Sequence, residues 1–318
     1  MMQEKILEAL KKKGSHLTAE QLCQQAGASR TGLWQAISEL RHAGYEIETA
    51  PHLGYKLVAS PDRLLPQEIT CGLHTKTIGR QVYYSERCAS TMDIAVRLAE
   101  SGAPEGTIAV AETQDRGRGR LGRSWISQRF KGICLSLILR PEVDVIRAQL
   151  LTLIAAAAVC EAVKRCTGIQ AGIKWPNDIL VHEKKAGGIL VELKAELDRI
   201  KFMVIGIGLN VNAAPEELKA EAISLKAAMH SGEKLDRVRL LQEMLRAFEA
   251  QYLLFQRTGA PAVLESWKKY SLTLGRRVKV AAGRTHVEGV AADLDSDGGL
   301  LVRRDSGVIQ KFMAGDVT

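Results

Sequence analysis

The sequence predicts an α/β (α+β) protein in which a domain built on a central sheet lies between two smaller domains. Three patterns predict this arrangement. Residues 1–60 read as three short helices and a hairpin, the middle of the chain alternates apolar strands with helices, and the last part consists of short strands separated by glycine and aspartate turns. The chain of 318 residues is long enough for such a division, and the predicted domains cover residues 1–62, 63–270 and 271–318.

The N-terminal domain has the pattern of a winged helix-turn-helix. Thr18, with Gln21 three residues later, is placed to cap the second helix, and Ser29 is placed to cap the third. The runs YEIETA and GYKLVA, joined by PHLG, indicate the hairpin that forms the wing. Apolar residues at helical spacing predict the buried face of the third helix, namely Leu33, Trp34, Ile37 and Leu40.

A winged helix-turn-helix places its third helix in the major groove of DNA. The candidate DNA contacts are the residues near the exposed start of that helix: Ser29, Arg30, Thr31 and Gln35. The alternative is a small helical domain that binds another protein. The balance of basic and acidic residues in this domain favours that alternative slightly, because phosphate contacts usually need a basic excess.

The central domain is predicted from runs of apolar residues. The segments TIAVAET, GICLSLILR and KFMVIGIGLNVN predict strands, and Gly206 and Gly208 leave room beside the last of them. Helices are predicted over residues 147–167 and 238–256. The longest apolar run, Leu150–Cys160, is too short to span a bilayer and indicates a buried helix.

The composition is typical of a soluble globular protein, with 46% hydrophobic and 25% charged residues. Six cysteines are scattered without a CxxC pair, which is typical of reduced thiols in a cytoplasmic protein. Charges alternate with apolar residues at the N-terminus, which excludes a signal peptide, and no membrane segment is predicted. The net charge of +8 is concentrated in residues 115–140, which favours a local anion site over a general nucleic-acid surface.

Residues 113–125, TQDRGRGRLGRSW, alternate four arginines with three glycines. Because glycine raises the entropic cost of ordering and the arginines repel one another, the segment is predicted to lack a regular fold of its own and to stay mobile until an anion binds. Guanidinium groups suit phosphate and carboxylate. The alternatives are a solvated surface loop and an RG-type RNA-binding segment, although the latter normally repeats its RG block.

A second polar cluster lies in residues 173–193, IKWPNDILVHEKKAGGILVEL. Asn177 and Asp178 offer oxygen ligands that suit Mg²⁺ and a nucleotide triphosphate. Lys174 and Lys185 flank them, and two glycines shortly after Lys185 permit the close approach of a ligand. Each feature alone is typical of an ordinary turn or a solvated lysine, so the prediction depends on their combination.

The motifs DRGRGRLGRSW, KWPNDIL, KKAGGILVEL and GIGLNVN, in this order and spacing, resemble those of the biotin protein ligases. The resemblance covers essentially the whole chain, because the N-terminal winged helix and the C-terminal strands also fit. It therefore extends to the bifunctional type, which is both a biotin–[acetyl-CoA-carboxylase] ligase and a repressor of the biotin operon. The resemblance implies a catalytic domain of the biotin/lipoate ligase fold and a small SH3-like β-barrel at the C-terminus.

The resemblance also implies a reaction in two steps. Biotin and ATP, with Mg²⁺, give biotinyl-5′-adenylate and pyrophosphate, and the biotinyl group then passes to a lysine of the biotin carboxyl carrier domain of a biotin-dependent carboxylase. In the regulatory role that it implies, the adenylate is the corepressor, and a homodimer binds operator DNA. No membrane partner is implied, and a cytoplasmic location is expected.

Roles for individual residues follow from the matched motifs. The implied biotin-binding residues are Ser90, Thr91, Met92, Gln114, Arg118, Gly119, Arg120 and Lys185. Those implied near the nucleotide are Arg123, Trp125, Asn177 and Asn210. Asp178 is the implied metal ligand, and the family often has asparagine at the position of Met92. The implied catalytic residues are Lys185, Arg118 and Arg120, since positive groups lower the repulsion between a carboxylate and a phosphate.

Two further functions remain open on the sequence. A non-catalytic transcription factor that only senses biotin would have no need of Lys185 or of the carboxylate in KWPND. A lipoate ligase would share the catalytic fold but not the arginine-glycine segment. Both features are present in this chain, and both favour a biotin ligase.

Overall fold

The structure is a computed structural model that describes residues 2–196, 199–229, 231–283 and 285–318. It divides into two compact units, Met1–His74 and Thr75–Thr318. The first unit extends past residue 62 and includes residues 63–74 of the predicted central domain, and the second unit contains the rest of that domain and the predicted C-terminal domain. The three-domain division itself stays a prediction.

The first unit contains the predicted helices and hairpin. Its helices are α1 (Met2–Lys13), α2 (Ala19–Ala26), α3 (Arg30–His42) and α4 (Pro66–Thr70). Its strands, β1 (Glu46–Ala50) and β2 (Gly54–Ala59), pair antiparallel. The predicted winged helix-turn-helix is thereby confirmed for this unit.

The predicted caps are responsible for where α2 and α3 begin. The Thr18 hydroxyl accepts a hydrogen bond from the Gln21 backbone N–H at 3.2 Å, and the Gln21 side chain accepts one from the Thr18 N–H at 3.1 Å. The Ser29 hydroxyl accepts from the Gly32 N–H at 3.1 Å. Gly27 ends α2 at a φ of +65°, a conformation that glycine adopts without strain. Each cap satisfies backbone groups that the helix itself leaves unpaired.

The predicted buried face of α3 is wrong at Trp34. Leu33, Ile37 and Leu40 are each 1% exposed, whereas Trp34 is 68% exposed. With about 100° between successive residues of a helix, Ala36, Leu40, Leu33 and Ile37 fall within one arc of about 100°, and Trp34 lies about 60° beyond its edge. Ala36 takes the buried place, and Trp34 lies on the solvent side of α3.

The second unit is built on a seven-stranded sheet with the order β3-β4-β7-β11-β10-β9-β8, in which β3 and β4 are parallel and the other neighbours antiparallel. The seven strands of this sheet are β3 (Val82–Cys88), β4 (Ile108–Gln114), β7 (Gly132–Leu139), β8 (Gly172–Lys174), β9 (Asp178–Val181), β10 (Lys184–Glu196) and β11 (Arg199–Asn210). Two short strands between β4 and β7 pair only with each other, namely β5 (Gly117–Arg118) and β6 (Ser124–Trp125). The helices are α5 (Thr91–Glu100), α6 (Ala148–Thr167), α7 (Leu225–Ala228), α8 (Arg237–Thr258) and α9 (Ala260–Lys268).

The long helix α6 is the core of this unit. By length and composition the segment from Val145 to Thr167 resembles a membrane-spanning helix, but 72% of its most apolar window is buried inside the protein. It packs against α8 and α9. The predicted buried helix is therefore confirmed, while α9, which starts next to Pro261, is an element that the sequence did not predict.

The C-terminal part of the second unit is an antiparallel sheet of five strands in the order β15-β14-β13-β12-β16. Its strands are β12 (Arg277–Ala282), β13 (Thr285–Leu294), β14 (Leu300–Arg303), β15 (Ile309–Phe312) and β16 (Asp316–Val317). Alternate residues such as Val280, Val287 and Val302 are buried, which gives the sheet one apolar face. The prediction that the chain from residue 271 onward consists of short β-strands is confirmed.

Candidate active site

A cavity of about 800 Å³ lies within the second unit, over the middle of the seven-stranded sheet. This volume is in the range of small-molecule sites. Every residue of this unit that the sequence analysis names as a site residue lines the cavity: Ser90, Thr91, Met92, Gln114, Arg118, Gly119, Arg120, Arg123, Trp125, Asn177, Asp178, Lys185 and Asn210. The structure thus brings these residues together from five separate segments of the chain, and their individual roles stay predictions.

Glycines on β11 make room for two large side chains of the cavity. A Cβ atom at Gly208 would lie 2.4 Å from the Trp125 indole, and one at Gly206 would lie 2.6 Å from the Met92 sulfur. Real Cβ atoms do not approach other atoms so closely. Trp125 and Met92 can therefore rest against the sheet only because β11 carries glycine at both positions, as the strand pattern predicted.

We expect Gly208→Ala to displace the Trp125 indole and to lower the free energy of unfolding by about 1–3 kcal/mol, the usual cost of overpacking. Gly188→Ala on the neighbouring strand β10 is the matched control, because its Cβ would meet no atom nearer than the Lys185 Cε at 3.4 Å. Urea unfolding followed by tryptophan fluorescence measures both. Equal unfolding free energies for the two variants would contradict this account of Gly208.

The start of α5 forms one wall of the cavity. Ser90, the N-cap of α5, accepts a hydrogen bond from the Met92 N–H at 3.3 Å. Gln114, at the end of β4, accepts two hydrogen bonds through its side-chain oxygen, from the Thr91 N–H at 2.8 Å and from the Thr91 hydroxyl at 3.1 Å. Ser90 and Thr91 are almost fully buried, at 1% and 2% exposure. This wall therefore offers polar groups that are buried and held in fixed positions by hydrogen bonds.

Residues 116–123, which we call the lid, contribute to a short regular element that contacts with distant parts of the chain support, so the prediction that the segment has no regular fold of its own stays a prediction. Strands β5 and β6 pair as a small hairpin, with Gly117 opposite Trp125 and Arg118 opposite Ser124. The repulsion expected between the lid arginines is offset by carboxylates from distant parts of the chain. Arg118 forms ion pairs with Asp93 of α5 and with Glu192 of β10. Whether the lid is mobile without ligand stays a prediction.

Two further lid arginines contact the C-terminal sheet. Arg120 donates hydrogen bonds to the Asn177 side-chain oxygen at 2.9 Å and to the Gly315 carbonyl at 3.3 Å. Arg123 forms an ion pair with Asp316. Burial lowers the pKa of the Arg120 guanidinium, and the nearby Asp316 carboxylate acts in the opposite direction. Arg120 is thus the arginine that joins the lid to both the KWPND segment and the end of the chain.

Within the KWPND segment, Trp175 anchors the chain to the interior of the unit. This side chain is 1% exposed, its indole N–H donates to the Gly298 carbonyl at 3.2 Å, and its backbone N–H donates to the Thr273 hydroxyl at 2.9 Å. These contacts fix the backbone just before Asn177 and Asp178, which line the cavity. Asn177 donates its side-chain amide to the Ile189 carbonyl at 2.9 Å, which leaves its oxygen to face Arg120.

Lys185 and Asp178 form an ion pair inside the cavity, with 2.6 Å between the Lys185 Nζ and an Asp178 carboxylate oxygen. Both side chains are partly exposed to the cavity, at 35% and 25%. The pair provides one mobile cation and one carboxylate beside the Arg120–Asn177 hydrogen bond. An incoming anion can draw Lys185 away from Asp178, because an ammonium on a flexible stem changes partners easily.

The residues around Asp178 fit a magnesium ion that arrives with phosphate groups. Across the described residues, no group of three or more His, Cys, Asp or Glu side chains is placed to hold a metal. Mg²⁺ needs fewer protein ligands than that, since it usually binds one or two carboxylates and completes its shell with phosphates and water. Asp178, with the oxygen of Asn177 next to it, supplies that donor set.

The candidate DNA contacts of the first unit lie at the start of α3. Arg30 and Thr31 are exposed, Ser29 caps the helix, and the Gln35 amide donates to a Glu39 carboxylate at 3.0 Å. The sequence analysis missed Trp34 as a functional candidate, because it assigned this residue to the core. A count of helical angles from Leu33 would have placed it on the exposed face.

Three family models match the chain. The biotin/lipoate A/B protein ligase family matches residues 84–212, a helix-turn-helix domain matches residues 2–56, and the biotin protein ligase C-terminal domain matches residues 273–318. Together they cover the lid, the KWPND segment, most of the first unit and the C-terminal sheet.

Relatives with known names are similar over nearly their whole length. The bifunctional ligase/repressor BirA of Bacillus spizizenii is 39% identical, over 99% of this chain and 98% of that protein. The Escherichia coli protein of the same name is 29% identical, over 98% of this chain and 95% of that protein. Among solved structures, the Aquifex aeolicus biotin protein ligase in complex with biotin and ATP is 30% identical and has a TM-score of 0.64, over 75% of this chain and 98% of that one.

Proposed function

The chain belongs to the biotin/lipoate A/B protein ligase family and is a biotin protein ligase joined to a helix-turn-helix repressor domain, and on this premise we propose that biotin and ATP react in the cavity beneath the lid. The observation that carries the proposal is that Arg118 and Arg120 of the lid and Lys185 of β10 line the same cavity as Ser90 and Gln114. A cationic region and a polar, buried wall are what a carboxylate ligand with an uncharged ring requires.

Adenylate formation needs two anions to meet. An oxygen of the biotin carboxylate forms a bond to the α-phosphorus of ATP, and the bond from that phosphorus to the bridging oxygen of pyrophosphate breaks. Lys185, Arg118 and Arg120 lower the repulsion between the anions and stabilise the charge on the transferring phosphate. Catalysis here is positioning and electrostatics, and no side chain has to form a covalent intermediate.

The nucleotide end of the cavity is formed by Trp125, Arg123, Asn177 and Asn210. The Trp125 indole lies against Gly208 of β11 and near Gly188 of β10, and it offers a flat apolar surface to a base. Asp178 and Asn177 are the residues that would hold Mg²⁺, which, when bound, neutralises charge on the phosphates. Asn210, the last residue of β11, is 9% exposed, and its side-chain amide donates to the Ile223 carbonyl at 3.4 Å.

The lid protects the product. An acyl-adenylate is a mixed anhydride that water hydrolyses, so a closed hairpin over it excludes water until the acceptor arrives. The acceptor is a lysine of the biotin carboxyl carrier domain of a biotin-dependent carboxylase. Its amine attacks the biotinyl carbonyl, the bond to the phosphate oxygen breaks, and AMP leaves. Free cysteines throughout the chain support a cytoplasmic location, where such carboxylases would meet it.

A direct experiment tests this function. The protein is incubated with biotin, ATP, Mg²⁺ and a purified carrier domain, and mass spectrometry of the carrier measures the addition of one biotinyl group to its lysine. Lipoate in place of biotin is the control for specificity. If the carrier gains no mass with biotin, or gains it equally well from lipoate, the proposal is wrong.

The first unit carries the regulatory role. Bound adenylate orders loops of the catalytic unit and favours a homodimer, which places two α3 helices on a two-fold symmetric operator. Ser29, Arg30, Thr31 and Gln35 remain the proposed contacts at the start of α3. Trp34 joins them, because an exposed apolar side chain in the major groove can pack on thymine methyl groups.

We expect operator binding to require biotin plus ATP and to weaken roughly tenfold in Trp34→Ala, the scale of one lost base contact. Trp34→Phe, which keeps an apolar ring on α3, is expected to retain most of the affinity. Gel shifts with DNA from upstream of the biotin genes of the same organism measure both effects. Operator binding that does not depend on biotin and ATP would refute the role of the adenylate as corepressor. Equal affinity of the wild type and Trp34→Ala would refute the DNA contact of Trp34.

A further inference from the structure

A chain of hydrogen bonds runs from the middle of the sheet to the wall of the cavity. Ser136, on β7, has no exposed surface, and its hydroxyl donates to the Thr91 hydroxyl oxygen at 2.8 Å. Thr91 in turn donates its own hydroxyl to the Gln114 side-chain oxygen at 3.1 Å. Thr91 and Gln114 line the cavity, and Ser136 lies behind them. Any influence of Ser136 on a ligand must therefore pass through Thr91.

The direction of these hydrogen bonds decides what Gln114 offers to a ligand. A threonine hydroxyl has one proton, and because Ser136 donates to its oxygen, that proton is free to point at Gln114. The Gln114 oxygen also accepts from the Thr91 N–H at 2.8 Å, so both of its acceptor positions are used. The amide nitrogen carries two N–H donors; the Gln114 side chain also donates to the Cys134 thiol, and the donor that is left is the part of Gln114 that remains for a ligand.

We propose that Ser136 is a positioning residue that fixes the Gln114 amide as a hydrogen-bond donor and so makes this wall selective for a ring carbonyl acceptor. The proposal rests on the proposed function, in which biotin, whose ring is a cyclic urea with one carbonyl oxygen, occupies this wall. If a ligand presented N–H groups or a positive charge in place of the carbonyl, its donors would face the N–H donors of the Gln114 amide. Neither side would then have an acceptor, and buried groups left unpaired in this way lower the affinity of the ligand.

Without the Ser136 hydroxyl, Thr91 can rotate its proton away and turn a lone pair toward Gln114. If the Gln114 amide is flipped, so that its NH₂ group faces Thr91, it then finds one acceptor in the Thr91 hydroxyl oxygen. The flipped NH₂ group still faces the Thr91 backbone N–H, which is unfavourable. The preference of Gln114 for the donor orientation becomes smaller but does not vanish. The expected consequence is a partial loss of selectivity, on the order of fivefold, which corresponds to one neutral hydrogen bond.

The test compares biotin with 2-iminobiotin, in which a protonated guanidinium replaces the urea at neutral pH. Pyrophosphate release by the full-length protein in the presence of the purified carrier domain, which accepts the biotinyl group and allows turnover, gives kcat and KM for each compound. Ser136→Ala is expected to raise the KM for biotin and to reduce the preference for biotin over 2-iminobiotin about fivefold, with kcat for biotin changed less than about twofold. A role in stability alone would lower both kcat/KM values equally and leave the preference unchanged.

Thr107→Ala is the matched control, since Thr107 is also 0% exposed and its hydroxyl donates to the Pro104 carbonyl at 2.8 Å, outside the cavity. It should leave the preference as in wild type. In a Thr91→Val background, which breaks the chain at its middle, Ser136→Ala should have no further effect on the preference. Should Ser136→Ala fail to fold, Ser136→Cys, with a weaker donor of similar size, is expected to show a smaller shift in the same direction.

An unchanged preference in the folded Ser136 variant, or an equal shift in Thr107→Ala, would overturn the role of Ser136. Failure of the proposed function would be visible separately, because the wild-type protein would then release pyrophosphate with neither compound.

Discussion

Replacing Lys185 by glutamine is expected to slow adenylate formation at least tenfold, the usual scale for a lost group that stabilises transition-state charge. Lys185 is the cation that can leave its partner, Asp178, and follow the reacting carboxylate and phosphate. Glutamine keeps much of the length of the side chain but supplies no charge, so the repulsion between the two anions is no longer offset. Single-turnover measurement of biotinyl-adenylate, with enzyme in excess over biotin, isolates this step from transfer to the carrier.

Lys184→Gln is the matched control for this experiment. Lys184 is the neighbour of Lys185 on β10, it is exposed, and the cavity is lined by Lys185 and not by Lys184. Both variants lose one positive charge from the same strand, so a general effect of net charge would appear in both. Adenylate formation near the wild-type rate in Lys185→Gln would remove Lys185 from its proposed catalytic role.

Arg120→Gly is expected to release adenylate before the carrier arrives. Arg120 donates to the Asn177 side chain and to the Gly315 carbonyl, so it holds the lid to two other parts of the second unit. Glycine removes both hydrogen bonds and adds backbone freedom to a segment that already contains three glycines. The free adenylate then acylates lysines of unrelated proteins, which biotin blotting of a mixture of the variant with serum albumin measures.

Arg116→Gly is the control for charge and flexibility in the same segment, because Arg116 is exposed and does not line the cavity. It should label the carrier domain alone, as the wild type should. Labelling by Arg120→Gly that stays confined to the carrier domain would mean that the lid does not retain the adenylate through this arginine. Labelling of albumin by both variants would point to the flexibility of the segment and not to the contacts of Arg120.

Features with a local physical cause were predictable from the sequence. Thr18 and Ser29 cap the helices that they precede, because capping depends on residues only two or three positions apart. The glycines of β11 were also recognised as places for close approach, although Trp125, which occupies the space at Gly208, could not be identified from the strand alone.

Features that depend on distant residues were not predictable. The lid was expected to lack a regular fold of its own, and the carboxylates that pair with its arginines, those of Asp93, Glu192 and Asp316, lie far away in the sequence and could not be identified from it. Ser136 was missed because a single serine in an apolar strand belongs to no motif, and its significance comes from Thr91 on another element. In both cases tertiary contacts determine the outcome.

The site residues were named from a resemblance, and the structure adds their spatial relation. Motifs at positions 90–92, 113–125 and 174–185 come together on one cavity, which the spacing along the chain could not show. For Trp34 the sequence was misleading. It was assigned to the core because it lies among apolar residues at helical spacing, but its angle around the helix axis places it on the exposed side.

The contact between the lid and β16 bears on how the protein can be modified in the laboratory. The Gly315 carbonyl accepts a hydrogen bond from Arg120, and the Asp316 carboxylate pairs with Arg123. A bulky label attached at β16 would therefore disturb the contacts that hold the hairpin over the cavity. We expect a protein labelled at this strand to leak activated biotin.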